Sequence, residues 1–299
     1  MMAGFLEQRA NLSGRTAVVI GGGGGIGAAC SLALARAGVN CAICDLDGDA
    51  QKVTAAKLNE MNGLITDEVL DAAQPDQLDA FYNLVGETCN RLDIVVNVAG
   101  RTRRRQFMDV DRDENARDIQ RNFGYVIQSV ERAVPLIRRS GRGGSIVNFT
   151  TIEAHRGAAG FSVYAGAKAA TANFTRAMAV ELAAERIRLN CVVPDTTFSK
   201  GNFDALSVED HALLAEVRED CQGKGLEIYV PQKSPPPADA LADAVLFLAS
   251  DMAACVTGTS LHVDGGTMAA AGFLDWPFGD GFVPSPLGGT LAALYGRKD

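Results

Sequence analysis

A tyrosine and a lysine four residues apart, Tyr164 and Lys168, are of the right types and spacing for acid–base chemistry. On a helix this spacing places the phenol and the ammonium on one face, one turn apart. A free phenol has a pKa near ~10, too high for a general base at neutral pH. A positive charge about 4 Å away is worth roughly 4 kcal/mol at an effective dielectric of 20, enough to bring that pKa to about 7. We therefore expect Lys168 to lower the pKa of Tyr164, so that the phenol exchanges a proton with a substrate hydroxyl.

A threonine hydroxyl is expected beside this pair. Residues 145–149 form an apolar, β-branched run typical of a buried parallel strand, and Thr151 follows its end. Ligands of open α/β sheets bind at the carboxyl ends of the strands. Taken alone, a Tyr and a Lys at this spacing usually lie on the surface. The strand and Thr151 favour a catalytic role instead.

A glycine run lies near the start of the chain. Residues 16–20 form a short apolar run, five consecutive glycines occupy 21–25, and Ile26 and Gly27 precede an Ala- and Leu-rich stretch over 28–37. Strand, glycine turn and helix form the context that a dinucleotide-binding motif requires, with the pyrophosphate at the helix N-terminus. Five glycines fit several registers of that motif, so the sequence does not assign a role to each glycine.

An acidic residue ends the next predicted strand. Asp45 lies eighteen residues after Gly27, where a carboxylate accepts hydrogen bonds from the adenosine ribose and repels a 2′-phosphate. The glycine turn carries no Arg or Lys to pair with such a phosphate. Both observations predict NAD rather than NADP. The alternative, that the Asp only begins a helix, applies better to Asp47.

Strands and helices alternate along the chain, which predicts one α/β domain with a doubly wound, Rossmann-like parallel sheet of about seven strands and helices on both faces. The predicted strands cover residues 16–20, 40–44, 64–70, 93–97, 145–149, 187–193 and 260–264. The predicted helices cover residues 28–37, 49–61, 76–91, 114–139, 164–186 and 239–250. Asn122 lies inside the fourth of these helices, where Asn is unfavourable and indicates a local role.

Composition and charge exclude several function classes. The 28 Lys and Arg residues against 36 Asp and Glu give a net charge of −8, so we expect neither nucleic acid nor an anionic membrane as a partner. No apolar run approaches the ~20 residues of a membrane span, and the N-terminus lacks the apolar core of a signal peptide. Cytoplasmic residence is the resulting expectation.

Cysteine and histidine patterns predict no metal site. Cys41 and Cys44 form a C-x-x-C inside a predicted strand, where that spacing sends the two thiols to opposite faces. We interpret most of the seven cysteines as small core residues. The three histidines, His155, His211 and His262, lack the spacing of metal ligands.

Taken together, these residues resemble the short-chain dehydrogenase/reductase family in its classical form, and the resemblance covers nearly the whole chain to Gly266. The family's glycine motif matches residues 20–27, its Asn-Asn-Ala-Gly matches 97–100, and its Tyr-x-x-x-Lys is intact as Tyr164 and Lys168. Its catalytic Ser position falls on Thr151, its helix Asn on Asn122, and its Pro-Gly turn on Pro194 and Asp195.

The resemblance implies hydride transfer between a nicotinamide and a secondary alcohol or ketone. Tyr164 would be the acid or base, Lys168 would lower its pKa and hold the nicotinamide ribose, Thr151 would bond the substrate oxygen, and Asn122 would help hold a proton-relay water. We expect oxidation with NAD as the favoured direction. The implied cofactor-binding residues are Gly21, Gly25, Ile26, Gly27, Asp45, Leu46, Val69, Asn97, Ala99, Gly100, Tyr164, Lys168, Pro194, Thr197 and Ser199.

The departures from the family concern the active site and one turn. Thr151 in place of Ser keeps the hydroxyl but adds a methyl group that restricts its rotamers. If that methyl turns the hydroxyl away, activity would be low. Asp195 in place of Gly changes the turn after the sixth strand, which makes the contacts of Thr197 and Ser199 less secure.

The substrate is less clearly encoded. A lid over residues 195–237 is rich in apolar side chains, which favours a hydrophobic alicyclic, steroid-like, terpene-like or aryl substrate, although the same residues would also pack a helix onto the body. Glu153, His155, Phe198 and Phe203 are candidate substrate contacts, with Glu153 receiving a polar group.

Three further features leave alternatives open. Arg101 and the arginines at 103–105 form either an anion site or a solvated or intersubunit patch, the second being favoured. The tail at 267–299 carries too many aromatic residues for a solvated segment, so we expect it to pack on the body or across an interface of the homotetramer or homodimer that the family implies. A ketoacyl or enoyl thioester reductase and a catalytically quiet dinucleotide-binding protein remain the alternative functions.

Overall fold

A seven-stranded parallel sheet forms the centre of the molecule, in the order β3-β2-β1-β4-β5-β6-β7. The computed structural model describes residues 4–102, 104–197 and 223–289. The order reverses between β1 and β4, and this is the switch point at which doubly wound sheets bind ligands. The strands are β1 (Thr16–Ile20), β2 (Asn40–Asp45), β3 (Leu64–Val69), β4 (Ile94–Asn97), β5 (Gly144–Phe149), β6 (Ile187–Pro194) and β7 (Ser260–Val263). The predicted fold class is confirmed, and the predicted strand ends agree with these to within about one residue.

Helices cover both faces of this sheet. Those described are α1 (Phe5–Ala10), α2 (Gly25–Arg36), α3 (Gly48–Glu60), α4 (Pro75–Thr88), α5 (Arg112–Ile119), α6 (Tyr125–Arg138), α7 (Ser162–Glu181), α8 (Lys224–Tyr229), α9 (Ala238–Ala249) and α10 (Thr267–Ala270). No helix in the described part of the chain is both long and apolar enough to cross a membrane.

Alternating residues of the strands divide the core into two halves. On β1, Val18 and Ile20 pack with α4 and α6, whereas Ala17 and Val19 pack with α2 and α9. This division follows from the period of two along a strand. Cys44 lies in the first half and Cys41 in the second, so the C-x-x-C pair is separated by the sheet, as expected.

The predicted helix over 114–139 is not continuous. A π-helical turn, Gln120–Gly124, separates α5 from α6, and it contains the fully buried Asn122. The Asn122 amide nitrogen donates to the carbonyls of Asp118 (3.0 Å) and Arg101 (3.1 Å). Single π turns of this kind occur frequently at functional sites.

A chain of buried amide and hydroxyl groups fixes the strand ends beneath the site. The Asn97 amide donates to Asn148 (2.8 Å), which donates to Thr175 of α7 (2.9 Å). The Ser129 hydroxyl of α6 donates to the side-chain oxygen of Asn97 (2.7 Å). These bonds connect β4 to β5 and tie both strands to α6 and α7.

The C-terminal tail forms a hairpin of β8 (Phe273–Trp276) and β9 (Gly281–Pro284). Lys233 forms an ion pair with Asp275 and lies 5.4 Å from the centre of the Phe282 ring. Val283 is buried. The hairpin therefore contacts the segment that follows α8 in the same chain.

Candidate active site

Thr151, Tyr164 and Lys168 converge at the carboxyl end of β5. Thr151 follows the strand and opens a short 3₁₀ turn, Ile152–Ala154, while Tyr164 and Lys168 lie in the first two turns of α7. Thr151 and Lys168 are buried and Tyr164 is half-buried. The Thr151 hydroxyl lies near enough to the Tyr164 phenol to lower its pKa. The grouping predicted from spacing alone is thus present in three dimensions.

The Lys168 ammonium is the cation of this group. Its Nζ donates to the carbonyl of Phe149 at 3.0 Å, and it lies 5.9 Å from the centre of the Tyr164 ring. Burial lowers the pKa of Lys168 to about 8, because the charged form loses its hydration. The group therefore keeps its charge at neutral pH and loses it about one pH unit above.

The Tyr164 phenol does not have the lowered pKa that we expected. Burial raises the pKa of Tyr164 well above its ordinary value, and the negative charge of Glu153 raises it further, while the nearby Thr151 hydroxyl opposes both effects. The expectation of a pKa near 7 is wrong for this arrangement. It treated the phenol as if Lys168 were its only neighbour and left out dehydration and the Glu153 carboxylate.

Asn122 presents an unpaired oxygen toward the same place. Its Oδ1 atom is buried and has no hydrogen-bond partner among the described residues. A Cβ atom added to Gly100 would lie 2.7 Å from Oδ1 of Asn122 and 3.3 Å from Nζ of Lys168. The oxygen and the ammonium therefore face one small space beside Gly100, which suits a hydroxyl or a water molecule that bonds to both.

The structure assigns individual roles in the glycine turn that the sequence left open. Gly21 has a φ of 83°, and an added Cβ there would lie 2.7 Å from the backbone nitrogen of Ala99. At Gly27 an added Cβ would lie 1.8 Å from the carbonyl oxygen of Gly21. Gly21 thus makes the tight turn and Gly27 lets α2 pack against it. Gly25 and Ile26 begin α2, whose first amides have no acceptors within the helix and suit a pyrophosphate.

Asp45 is bonded to the glycine turn itself. Its Oδ2 atom accepts hydrogen bonds from the amides of Gly23 (2.9 Å) and Gly24 (3.2 Å). Asp47 caps α3 by accepting from the amides of Asp49 and Ala50, which is the role that we assigned to it rather than to Asp45. The carboxylate of Asp45 therefore lies against the glycine turn and orders it.

Two exposed apolar side chains border this carboxylate. Leu46 is 57% exposed and Val69 60% exposed, at the carboxyl ends of β2 and β3. Together with the close glycine packing, the helix N-terminus and Asp45, they form a cradle that fits a dinucleotide. A cofactor would meet the backbone rather than the side chain of Asn97, because that side chain is committed to Asn148 and Ser129.

The other predicted cofactor contacts lie at the ends of central strands. Ala99 and Gly100 follow β4, and the carbonyl of Ala99 accepts from the buried Tyr125 hydroxyl at 2.6 Å. Pro194 ends β6 and Thr197 is buried beyond it. Ser199, Phe198 and Phe203 lie outside the described residues, as does most of the lid.

Glu153 connects the hydroxyl of Thr151 to charged residues that we did not predict. The Thr151 hydroxyl donates a short hydrogen bond to one oxygen of Glu153, and the Arg156 guanidinium pairs with the other oxygen at 2.8 Å. Arg156 also lies 4.0 Å from Asp195 and 5.6 Å from the Tyr229 ring centre. Arg156 follows Glu153 by three residues, whereas Asp195 and Tyr229 come from two other segments that no local spacing in the sequence indicated.

The predicted substrate contact His155 packs against another histidine. Its ring centre is 5.1 Å from that of His262, and burial and the neighbouring His262 lower the pKa of His155. No group of three or more possible metal ligands occurs among the residues described.

The arginine patch is partly neutralised. Arg105 pairs with Glu114 (3.2 Å) and Asp118 (3.4 Å), while Arg101 is exposed. Arg103 lies outside the described ranges. The ion pairs of Arg105 agree with the favoured interpretation of a surface patch.

Comparison with known proteins gives consistent matches. The family model described as enoyl-(acyl carrier protein) reductase matches residues 21–268. The 3-oxoacyl-(acyl-carrier-protein) reductase FabG of Chlamydia trachomatis is 33% identical over 262 residues, covering 85% of this chain and 98% of the relative. An L-rhamnose 1-dehydrogenase (NAD(P)(+)) of a Sphingomonas species is 32% identical over 257 residues, covering 85% and 96%.

A solved structure shares the fold as well. The carveol dehydrogenase of Mycobacterium avium in complex with NAD superimposes with a TM-score of 0.78 at 26% identity, covering 86% of this chain and 98% of that one. The parallel sheet, the glycine turn and the Thr–Tyr–Lys group agree with the sequence matches over the same residues. This chain therefore belongs to the short-chain dehydrogenase/reductase family of oxidoreductases.

Proposed function

We propose that this protein is an NAD-dependent dehydrogenase that oxidises a secondary alcohol of a hydrophobic substrate to the ketone and catalyses the reverse reduction. The observation that carries this proposal is the convergence of Thr151, Tyr164 and Lys168 at the carboxyl end of β5, beside the glycine turn. Bound NAD supplies the hydride acceptor, and the protein supplies position and proton transfer.

Each residue of the group has a separate role in the proposal. Tyr164 takes the proton of the alcohol, and Thr151 holds the oxygen of the substrate. Lys168, whose charge favours the ionised phenol against the effects of burial and of Glu153, is anchored by the carbonyl of Phe149. Asn122 offers its free oxygen to a water molecule that links Lys168 to solvent.

Asp45 supports NAD over NADP. Its carboxylate is held against the glycine turn by two backbone amides, so it cannot swing away from a 2′-phosphate without breaking both bonds. The named relatives include an NAD complex and an enzyme that uses either cofactor. The preference for NAD thus rests on the geometry at Asp45.

A ketoacyl thioester reductase is the second candidate, and the 33% identity to FabG favours it. Such an enzyme would reduce acetoacetyl-coenzyme A, and it would more often use NADPH. The turn carries no cation to bind the 2′-phosphate, which favours the alcohol dehydrogenase.

We also propose that the protein acts as a homotetramer or homodimer in the cytoplasm. Val180 of α7 and Ile119 of α5 are large apolar side chains that are 80% and 48% exposed. Burying such residues against a second copy would remove apolar surface from water.

The test is NADH formation with cyclohexanol, menthol and carveol, with NAD and NADP in parallel. We expect turnover with NAD and a loss of about 10²- to 10⁴-fold in Tyr164→Phe, the usual contribution of a general acid–base group. Turnover of acetoacetyl-coenzyme A with NADPH instead would establish the second candidate. Binding of NAD without turnover in either direction would favour a quiet dinucleotide-binding protein.

A further inference from the structure

The hydrogen bond from Thr151 to Glu153 limits what the hydroxyl can offer a substrate. A threonine hydroxyl carries one proton and two acceptor lone pairs. In this site the proton is donated to the carboxylate of Glu153. Only the lone pairs of the Thr151 oxygen then remain, and these can accept hydrogen bonds from Tyr164 or from a substrate hydroxyl.

The Glu153 carboxylate is held in this orientation at both ends. One oxygen accepts from Thr151 and the other from Arg156 at 2.8 Å. The backbone amides of Ala154 and His155 close the 3₁₀ turn onto Thr151 and Ile152, which fixes the position of Glu153 relative to Thr151. The Glu153 side chain is only 17% exposed, so water competes weakly for its oxygens.

We infer that Glu153 is a positioning residue that makes the Thr151 hydroxyl an acceptor, so that the site binds the alcohol in preference to the corresponding ketone. In the resting complex an alcohol hydroxyl can donate to the lone pair of Thr151 and then turn its proton to Tyr164 for the reaction, whereas a ketone oxygen is only an acceptor and gains no hydrogen bond from Thr151. The inference rests on the proposed dehydrogenase function and adds a preferred redox state of the substrate to it.

The isosteric variant Glu153→Gln separates this role from packing. Arg156 can only donate, so the amide oxygen of the new side chain turns to Arg156 and its amide nitrogen turns to Thr151. The nitrogen donates to the hydroxyl, and the Thr151 proton becomes free to bond a ketone. Glu153→Leu, which removes the acceptor altogether, is expected to act in the same direction.

Dissociation constants are the appropriate readout, because the equilibrium constant of the reaction constrains the ratio of the forward and reverse kcat/KM values in every variant. Two unreactive complexes supply them: cyclohexanol with enzyme and NADH, and cyclohexanone with enzyme and NAD. The Kd of the first is measured by NADH fluorescence and that of the second by competition with the alcohol substrate.

We expect the wild-type enzyme to bind the alcohol more tightly, and Glu153→Gln to shift the ratio of the two Kd values toward the ketone by about tenfold, as for one hydrogen bond. Because Glu153 acts through Thr151, the same substitution made together with Thr151→Val should leave the ratio unchanged. Unchanged affinity for NADH shows that each variant is folded.

An unchanged ratio in both Glu153 variants, with turnover by the wild type, would overturn this inference alone. So would an equal shift in the presence and absence of Thr151→Val. Absence of turnover by the wild type with every alcohol and ketone would overturn the proposed function, and this inference with it.

Discussion

The Oδ2 atom of Asp45 lies 2.9 Å from the backbone nitrogen of Gly23. The residue expected to distinguish NAD from NADP therefore also hydrogen-bonds the glycine turn that the cofactor approaches. A second bond to Gly24 shares the same oxygen. The preference for NAD over NADP and the order of the glycine turn therefore depend on one side chain. A variant that removes the whole carboxylate would change both at once.

Asp45→Asn removes the charge while keeping the bonds to the turn. The amide oxygen of the new side chain still accepts from Gly23 and Gly24, and its amide nitrogen replaces the Oδ1 atom that accepts from the Asp47 amide at 3.0 Å. We expect the preference for NAD over NADP, measured as the ratio of the two kcat/KM values, to fall by about tenfold, equivalent to about 1.4 kcal/mol. Asp47→Asn removes one charge nearby while keeping a good helix cap, and should leave the ratio unchanged. Equal effects of the two substitutions would contradict the assignment.

Gly27→Ala should destabilise the fold through the turn. Its Cβ would lie 1.8 Å from a backbone oxygen that cannot move without disturbing β1. We expect a loss of about 1–3 kcal/mol in the free energy of unfolding, measured in urea. Gly24→Ala is the matched control, because its nearest neighbour would be the Cβ of Ala50 at 3.5 Å. That variant should stay within about 0.5 kcal/mol of the wild type.

The pKa of Lys168 predicts a pH dependence of stability. Burial lowers this pKa to about 8, against ~10.4 in an unfolded chain. Below pH 8 Lys168 is protonated in both the folded and the unfolded state, and the folded state carries the full free-energy cost of burying the charge. Between about pH 8 and 10.4 the unfolded state binds more protons, so this contribution becomes more favourable as pH rises and then levels off.

The comparison with Lys168→Met isolates this contribution. The difference between the unfolding free energies of wild type and variant should change by about 3 kcal/mol across that range, in favour of the wild type. If the unfolding free energies of wild type and variant change with pH in parallel, Lys168 has the same pKa in the folded and unfolded states, which would contradict the prediction. Turnover by the variant should be lost at every pH.

Removal of residues 273–299 should change assembly or kinetics, because the hairpin contacts Lys233 within the lid. Size-exclusion chromatography with light scattering and the KM for the alcohol are the measurements. Asp275→Asn tests the ion pair alone and should cost less than about 1 kcal/mol, since both partners are partly exposed. Identical assembly and kinetic constants after the truncation would contradict a functional role for the tail.

Most of the strands were predictable because they are short apolar runs with β-branched residues, several of which end at a glycine, proline or acidic residue. The strand β3 is the exception, since it contains Asp67 and Glu68 and was placed by the alternation of strands and helices. The grouping of Thr151 with Tyr164 and Lys168 followed from the same alternation, since it sets which strand ends meet. The π turn was not predictable, because a single extra residue leaves the apolar pattern of a long helix almost unchanged. The raised pKa of Tyr164 was missed because dehydration and the charge of Glu153 depend on tertiary packing.

The π turn at Gln120–Gly124 also makes the length of this helical segment matter. The turn holds one residue more than an ordinary α-helix would, so a one-residue deletion there would restore a regular helix and leave α5 in nearly the same phase relative to α6. Glu114 and Asp118 would stay beside Arg105, but the widened turn around the buried Asn122 would close. The extra residue therefore serves the site rather than the packing of the helix, and its loss is expected to reduce activity more than stability.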